Sequence, residues 1–261
     1  YPISILMLVG IRDILIISTP RDTPMIENLL GDGHQIGMNF TYQVQAEPKG
    51  IPQAFTLGEK FIGNDPVMLI LGDNVFFGQN LPQLLASTAK NIQGGHLFAY
   101  KVHDPERYGV VEFDEHGKVL SLEEKPEKPK SSWAQTGLYA YDSSVVGIAK
   151  NMKPSPRGET EITDLNLEYL RQGKLFAHQL GRGVAWLDTG TYDALLSAST
   201  FVQTIEQRQG MKVACLEEIA FLRGYIDAEQ LNRIADFYGK CEYGRYLARV
   251  AREVRPRKLV E

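Results

Sequence analysis

A run of five apolar residues, 67–71, ends abruptly at Gly72 and Asp73 and places the strongest constraint on the fold of this chain. The run shows no alternation of polar and apolar residues, which is typical of a strand buried on both faces. Strands of this kind belong to sheets that are covered by helices on both sides. We therefore expect an α/β protein in which apolar strands alternate with helices.

The first hundred residues follow this alternation, because helical patterns separate the apolar runs. The expected strands are 14–18, 40–45, 67–71 and 96–102, and the expected helices are 22–31, 51–63 and 81–91. Before the first strand, residues 1–9 have the pattern of the last turns of a helix that stops at Gly10. This order predicts a Rossmann-like, doubly wound, mixed and mostly parallel sheet.

The middle of the chain has a different pattern and predicts a small β-rich part. A hairpin is expected over 108–126, strands over 134–142 and 174–180, and helices over 164–172 and from about 192 to 209. We divide the chain into a core of residues 1–210, which includes the β-rich part at 104–180, and a helical C-terminal region, 211–261. The apolar stripes of that region are Leu231, Ile234 and Ala235, and then Leu247, Val250, Ala251 and Val254.

Composition excludes several classes of function. The net charge is -4 and no basic block is present, so a nucleic acid is not an expected partner. Arg12 and Asp13 interrupt the apolar amino end before it is long enough to span a membrane. Cys215 and Cys241 are the only cysteines and lie outside any zinc pattern, so we expect thiols in a reducing cytoplasm. The histidines are scattered without the spacing of metal ligands.

Two acidic residues each follow the end of an apolar strand. Asp73 follows residues 67–71, and Asp188 follows "VAWL" in the same way. Open α/β sheets bind ligands at the carboxyl ends of their strands, and Mg²⁺ is often held by one or two carboxylates plus phosphate oxygens. Each acid has a simpler explanation as the N-cap of a following helix. At this point the residues leave both interpretations open.

The segment "SLEEKPEKPK" places charged residues beside apolar ones. By strand alternation Leu120, Leu122 and Glu124 share one face, so the carboxylate would lie beside core leucines and need a polar partner such as a sugar hydroxyl. Lys125 points the other way and is a candidate partner of a phosphate. The alternative is a solvated hairpin end, which we reject for Glu124 and Lys125.

Other candidates are less specific. Gly109 permits close approach of the backbone to a ligand, and Arg157 in a Pro-rich loop has the reach to bind phosphate. Gln45 offers a donor and an acceptor to a pyrimidine edge, and Gly50 begins the next helix. Trp186 is suited to stacking on a ligand or to filling the core, and sequence alone favours the core.

Several motifs together resemble the bacterial glucose-1-phosphate thymidylyltransferases. The motifs are "LGDNVFFG", "DPERYGVVEFD", "SLEEKPEKPKS", "TGLYAYD", "PRGETEITD" and "GRGVAWLDTGTYDALLSAS", in this order. The resemblance extends along the whole chain and includes "IEQRQGMKVACLEEIAFLRGYID" near its end. It implies transfer of a nucleotidyl group from dTTP to α-D-glucose 1-phosphate, giving dTDP-glucose and pyrophosphate, as the first step of dTDP-L-rhamnose synthesis.

The resemblance also implies a role for each candidate residue. Asp73 and Asp188 would be the Mg²⁺ ligands, and Lys125 and Arg157 would act on the sugar phosphate as catalytic cations. The remaining substrate contacts would be Gln45 and Gly50 for the nucleotide, Tyr108, Gly109, Glu124 and Gln135 for glucose, and Asn74 and Trp186 at the border of the pocket. The family often has an apolar residue at the position of Gln135. Family likeness further implies a homotetramer that binds its end product between subunits.

One motif of the family is absent, and competing functions stay open. The glycine-rich "GGxGTRL" loop and its lysine, which wrap the triphosphate, would lie upstream of Tyr1 with the first strand. We therefore expect these 261 residues alone to be inactive and poorly soluble. The alternatives are a uridylyltransferase that makes UDP-glucose and an inactive regulator that binds nucleotide sugars. A glycosyltransferase is disfavoured because "LGDN" lacks the DxD metal motif. One methyl group separates thymine from uracil, and the sequence does not decide between them.

Overall fold

The computed structural model of the protein describes residues 1–253. Ten strands run through these residues. They are β1 (Asp13–Ser18), β2 (Asn39–Val44), β3 (Val67–Ile70), β4 (Asn74–Gly78), β5 (Gly95–Lys101), β6 (Gly109–Phe113), β7 (Val119–Glu124), β8 (Trp133–Tyr141), β9 (Leu175–Gln179) and β10 (Val184–Asp188). Every strand expected from the sequence is present within a few residues, and β4 is an additional one.

Eleven α-helices lie in the same residues. They are α1 (Pro2–Val9), α2 (Thr23–Leu30), α3 (Gln53–Leu57), α4 (Glu59–Ile62), α5 (Leu81–Ala89), α6 (Val145–Asn151), α7 (Ile162–Arg171), α8 (Tyr192–Gln209), α9 (Leu216–Leu222), α10 (Ala228–Tyr238) and α11 (Glu242–Glu253). The helix that stops at Gly10 is confirmed, because Gly10 takes the left-handed conformation with φ of 99°. The single helix expected over 51–63 is wrong, since Gly58 divides it into α3 and α4.

The predicted mixed sheet is confirmed, and strand β8 organises it. One edge of β8 pairs antiparallel with β5, and its other edge pairs antiparallel with both β3 and β6. Strand β9 extends the sheet by pairing parallel with β5, and β7 extends it on the other side next to β6. A parallel pair, β1 with β2, and an antiparallel pair, β4 with β10, complete the strands of residues 1–253. The expectation that the sheet is mostly parallel is wrong for residues 1–253, where five of the seven strand pairs are antiparallel, because β8 runs antiparallel to β3, β5 and β6.

The expected alternation along β7 is wrong at Leu120. The pairing of β6 with β7 shifts register between Glu112 and Phe113, and the bulge leaves Leu120 54% exposed. The buried residues of this strand are Val119 and Leu122, three positions apart, because a bulge inserts one residue and reverses the facing of those beyond it. Glu124 keeps the same face as Leu122 and points toward the interior, as expected.

The C-terminal helices complete the core of the chain. Residues Leu231, Ala235, Leu247 and Val250 of α10 and α11 belong to one buried apolar cluster together with Leu6 and Ile14 from the amino end. The apolar stripes of the C-terminal region are thus covered by the chain itself. Val254, which we assign to the same stripe, lies outside the described residues, as do residues 255–261 of the expected C-terminal region.

Both cysteines are free thiols, as expected. Burial raises the pKa of the Cys215 thiol to about 12, so this thiol is inert at neutral pH. None of the helices in residues 1–253 has both the length and the apolar content needed to span a bilayer.

A buried histidine pair joins β5 to β9. The Nδ1 atom of His96 lies 3.1 Å from Nε2 of His178, and the two rings stack. Burial and then the charge of His96 lower the pKa of His178 from 6.5 to about 4. Burial also lowers the pKa of His96, although the nearby Asp142 opposes that shift.

The histidine pair predicts acid sensitivity. Because the folded state lowers these pKa values, the unfolded state binds more protons between about pH 6.5 and pH 4. The free energy of unfolding should therefore fall as the pH is lowered from 7 to 5. Replacing His178 with Phe should remove about 1 kcal/mol of that fall, a figure discounted for the exposed part of the ring. Urea unfolding at both pH values measures it. The exposed His116→Gln is the control, and an equal fall in all three proteins would contradict the assignment.

Candidate functional site

The two strand-end acids converge. Strands β4 and β10 pair so that Asp188 lies opposite Asn74, the residue after Asp73. Both the backbone N–H and the hydroxyl of Thr189 donate to the Asp73 carbonyl, at 2.9 and 2.8 Å, and join the two strand ends. A β-carbon built on Gly190 would lie 3.0 Å from Asp188 Oδ1 and 3.6 Å from Asp73 Oδ2. The two carboxylates therefore face one open space above Gly190.

The simpler explanation of these acids, as helix caps, is wrong. Strand β4 and not a helix follows Asp73. Helix α8 begins at Tyr192, and its N-cap is Thr191, whose side chain accepts the N–H of Ala194. Asp188 Oδ1 accepts the N–H of Gly190 at 2.8 Å, and Asp188 Oδ2 takes no part in that bond.

Asn74 holds the Asp73 carboxylate from the buried side of the site. Its Oδ1 accepts the indole N–H of Trp186 at 2.6 Å and the backbone N–H of Gly137 at 3.0 Å, and its Nδ2 donates to Asp73 Oδ1 at 2.7 Å. Asn74 is buried, and Trp186 is 9% exposed. The structure thus places Asn74 and Trp186 beneath the pocket. Their polar atoms are used within the chain, which is the core role that sequence favours for Trp186.

Tyr108 covers the side of the carboxylate pair. Its ring is tilted against Trp186 with ring centroids 5.2 Å apart. Burial raises the pKa of Tyr108, Arg107 lowers it, and Asp188 raises it further. The charge of Asp188 therefore raises the pKa of both Arg107 and Tyr108. Arg107, which the sequence analysis missed, brings a positive charge toward the acids.

A chain of buried hydrogen bonds ends on Glu124. The hydroxyl of Thr163 donates to Glu124 Oε2 at 2.5 Å, and Gln135 Nε2 donates to that hydroxyl. Behind them Asn166 Nδ2 donates to Gln135 Oε1 at 3.1 Å, and the Tyr141 hydroxyl donates to Asn166 Oδ1 at 2.7 Å. Every donor in the chain points toward the carboxylate, so the bonds polarise one another and hold Glu124 in one orientation.

Gly109 leaves room for the Gln135 side chain of this network. A β-carbon on Gly109 would lie 1.9 Å from Gln135 Nε2, so the space beside Gly109 belongs to the Gln135 side chain. Gln135 is buried and its amide is used within the chain. The sequence places both residues at the sugar. The structure places them behind Glu124, from where they orient it.

The two expected cations lie at the outer edge of the same region. Arg157 Nη1 lies 3.7 Å from Glu124 Oε1 and 3.6 Å from Glu161 Oε1, with half of its side chain exposed. Lys125 is exposed, and its backbone N–H donates to the Tyr108 carbonyl at 3.0 Å. Its φ of 42° places it in the left-handed region, which is uncommon for a residue with a side chain and marks a strained turn.

Gln45 and Gly50 lie on the loop that follows β2. Gly50 has φ of 105°, and a β-carbon there would lie 2.0 Å from the Thr160 carbonyl. The hydroxyl and the N–H of Thr160 both donate to the Lys49 carbonyl. This contact brings the Gln45 loop against the Arg157 loop. The sequence gives no sign of the contact, because the residues are more than a hundred positions apart.

Strand β8 connects the two halves of the site. Gln135 and Gly137 are two positions apart in β8, where its pairing with β5 shifts register. One supports Glu124 and the other supports Asn74 beside Asp73. The structure therefore brings two of the predicted groups to β8, Asn74 with Asp73 at Gly137 and Glu124 with Arg157 at Gln135.

The acid pair, Asp73 and Asp188, is a candidate Mg²⁺ site. In residues 1–253 no group of three or more His, Cys, Asp or Glu side chains is arranged to hold a metal ion. Two carboxylates that face one open space above a glycine suit Mg²⁺, which is held by one or two carboxylates and completed by substrate phosphates and water. The donor set fits such an ion and does not suit zinc, which prefers nitrogen and sulfur ligands.

Comparison with known proteins identifies the family. A family model described as nucleotidyl transferase matches residues 1–205. The chain belongs to the nucleotidyl transferase family. Among similar nucleotidyl transferases is the glucose-1-phosphate thymidylyltransferase of Neisseria meningitidis, 52% identical over 97% of this chain and 88% of that protein. The enzyme of the same name from Xanthomonas campestris is 54% identical over 97% of this chain and 85% of its own length.

Solved structures agree with this assignment. A nucleotidyl transferase of Bacillus anthracis, described as a glucose-1-phosphate thymidylyltransferase in complex with a sucrose, has a TM-score of 0.69 and 40% identity. That match covers 76% of this chain and 79% of the other. A UDP-glucose pyrophosphorylase in complex with UDP-glucose shares the fold, with a TM-score of 0.66 and 23% identity over 78% of this chain and 86% of the other.

The close packing at Gly50 gives a prediction for this nucleotidyl transferase. Gly50→Ala should destabilise the protein by more than about 2 kcal/mol, because the new methyl group meets the Thr160 carbonyl and the backbone is strained. Gly117→Ala is the matched control, since Gly117 has φ of 81° but open space around it. It should cost only about 1 kcal/mol. Urea unfolding compares the two, and equal losses would show that Thr160 yields without cost.

Proposed function

We propose that this protein catalyses nucleotidyl transfer from dTTP to α-D-glucose 1-phosphate, giving dTDP-glucose and pyrophosphate. The named relatives support this choice of substrates, since the glucose-1-phosphate thymidylyltransferases are 52% to 54% identical over nearly the whole chain. The observation that carries the proposal is that β8 contacts the supports of both the acid pair and Glu124. A carboxylate pair suited to a metal ion lies beside a carboxylate suited to sugar hydroxyls, and both are fixed by neighbouring positions of β8.

The reaction requires the protein to position the two substrates and to offset their charge, and it does not require a general base. A phosphate oxygen of glucose 1-phosphate attacks the α-phosphorus of dTTP, and the bond from that phosphorus to the departing pyrophosphate breaks. A phosphate monoester has a second pKa of about 6, so the attacking oxygen is already ionised at neutral pH. Catalysis then consists of aligning two anions and offsetting their charge.

The residues of the cleft divide this task. Glu124 accepts hydrogen bonds from sugar hydroxyls, in an orientation set by Thr163 and Gln135. Arg157, held beside Glu124, binds the phosphate of the same substrate from its exposed side. Lys125, which is next in sequence and exposed, binds the same phosphate. Tyr108 closes the cleft between the sugar and the carboxylate pair.

Asp73 and Asp188 would hold Mg²⁺ as the cofactor. The bound ion would supply positive charge that offsets the charge of the phosphates. Because both carboxylates are anchored, by Asn74 and by Gly190 respectively, they need no rearrangement to receive it.

Assembly into a homotetramer is part of the proposal. Tyr192, Leu195 and Leu196 are 94%, 51% and 67% exposed and lie on one face of α8, a spacing that forms an apolar patch. The free thiols and the cytosolic nucleotide substrate favour the cytoplasm as the location, and dTDP-glucose favours a role at the start of dTDP-L-rhamnose synthesis. Sedimentation of the full-length gene product as a stable monomer would remove the tetramer from the proposal.

Substitution of the acid pair tests the function. In the full-length gene product, Asp73→Asn and Asp188→Asn should each lower the rate of pyrophosphate release from dTTP and glucose 1-phosphate by at least about a hundredfold, since each removes charge aimed at the phosphates. The unfolding midpoint should stay close to that of the wild type, because neither residue lies in the apolar core. Asp193→Asn, a substitution in the first turn of α8, is the control.

The outcomes separate the candidate functions. Near wild-type turnover with either variant would show that the residue is not a metal ligand. Faster turnover with UTP than with dTTP would favour the uridylyltransferase. Binding of nucleotide sugar without any turnover by the wild type would favour the regulator.

The sugar end of the cleft gives a further prediction. Glu124→Gln should raise the KM for glucose 1-phosphate about tenfold and leave the KM for dTTP nearly unchanged, because it weakens bonds to sugar hydroxyls. Lys125→Ala should act on the same substrate through its phosphate. Steady-state kinetics with each substrate varied in turn measures both effects, with Lys128→Ala as the exposed control. Equal losses for both substrates would contradict this placement.

A further inference from the structure

The donor half of the Gln45 amide is already used within the chain. Its Nε2 donates to Gln53 Oε1 at 2.6 Å and to the Gly50 carbonyl at 3.5 Å. The backbone of Gln45 is fixed as well, because its N–H donates to the Ser18 carbonyl at 2.8 Å, beyond the end of β2. An amide nitrogen has two hydrogens, so both are engaged.

The Gly50 carbonyl supports the orientation of the Gln45 amide. A backbone carbonyl can only accept, and the nitrogen of the amide faces it at 3.5 Å. The same carbonyl accepts the backbone N–H of Gln53 at 3.3 Å, which closes the turn from Gly50 to the start of α3. Contact with Thr160 on the outer side prevents this turn from shifting.

What remains exposed to a ligand is an acceptor. In residues 1–253 the structure records no donor to Gln45 Oε1, so this oxygen is left to meet a base. Thymine and uracil present a hydrogen on N3 and can donate to it. Cytosine presents a bare N3, an acceptor, so that two acceptors would face each other and one buried group would be left unpaired. The fixed amide therefore selects for a base that donates from N3.

We propose that Gln53 is a positioning residue that selects the base through Gln45, by holding its amide nitrogen inward and its oxygen toward the nucleotide. The inference rests on the proposed function, which places a pyrimidine nucleotide against Gln45. Without the acceptor on residue 53, the Gln45 amide keeps only the long bond to Gly50. The amide then turns, offers its nitrogen to N3 of cytosine, and base discrimination is lost.

Two substitutions of the same residue test this role. Gln53→Met removes the acceptor at similar length, whereas Gln53→Glu keeps the acceptor and removes the donors. Gln43→Met, which changes an exposed glutamine of β2 two residues before Gln45, is the matched control. Titration calorimetry on the full-length gene product measures the dissociation constants for dTDP and dCDP, and thermal unfolding reports on folding.

The expected result is a change in one ratio. The ratio of the dCDP to the dTDP dissociation constant should fall about tenfold in Gln53→Met, the value of about one hydrogen bond. It should stay near the wild-type ratio in Gln53→Glu and in Gln43→Met. A merely structural role would weaken both nucleotides equally and leave the ratio unchanged, which would overturn the proposal. Loss of discrimination in Gln53→Glu as well would also overturn it, since the acceptor is retained there.

A different result would concern the proposed function itself. If the wild type binds neither dTDP nor dCDP, the placement of a pyrimidine nucleotide at Gln45 fails, and the role of Gln53 fails with it. If the wild type binds dTDP and turns over dTTP while all three variants keep its ratio, the enzyme assignment stands and only the role of Gln53 is removed.

Discussion

The site depends on the side chain of a single buried amide, Asn74. Its oxygen accepts from Trp186 on β10 and from the Gly137 backbone on β8, and its nitrogen donates to Asp73 at the end of its own strand pair. One residue thereby joins the sheet of β4 and β10 to β8, which belongs to another sheet. Close packing of Gly137 against this amide leaves no room for a larger residue, because a β-carbon would lie 2.7 Å from it. The carboxylates above Asn74 are positioned by the fold and not by each other.

The sugar end of the cleft is built by the same logic with different residues. Thr163, Asn166 and Tyr141 are buried polar groups, and each is satisfied by the next along a chain that ends on Glu124. Buried networks of this kind are costly unless every member has a partner, and here the described members do. The contribution of the network is orientation. A carboxylate on a flexible hairpin end would meet a sugar hydroxyl in many geometries, whereas Glu124 meets it in one.

Sequence reasoning succeeded where a residue's role depends on its own strand, and failed where it depends on a distant partner. Asp73 and Asp188 follow from apolar runs that end on acids, and the approximate strand bounds follow from hydrophobic periodicity. Leu120 was misplaced because a bulge changes the facing of residues without changing the pattern. Thr163 and Gln53 were missed because their importance comes from partners 39 and 8 positions away. Asn166 was within reach, since a polar residue on the apolar face of α7 needs a buried partner.

Charge at the cleft argues for a cation independently of any resemblance. Asp73, Asp188, Glu124 and Glu161 contribute negative charge, while Arg157 and Lys125 are the positive side chains that residues 1–253 place beside them, with Arg107 near Asp188. A nucleoside triphosphate and a sugar phosphate would add several further negative charges to this space. Ion pairing already uses Arg157 against two carboxylates, so it cannot also neutralise the acid pair. A divalent ion held by Asp73 and Asp188 would offset their charge and attract phosphate, which would give a physical reason for two acids at one strand edge.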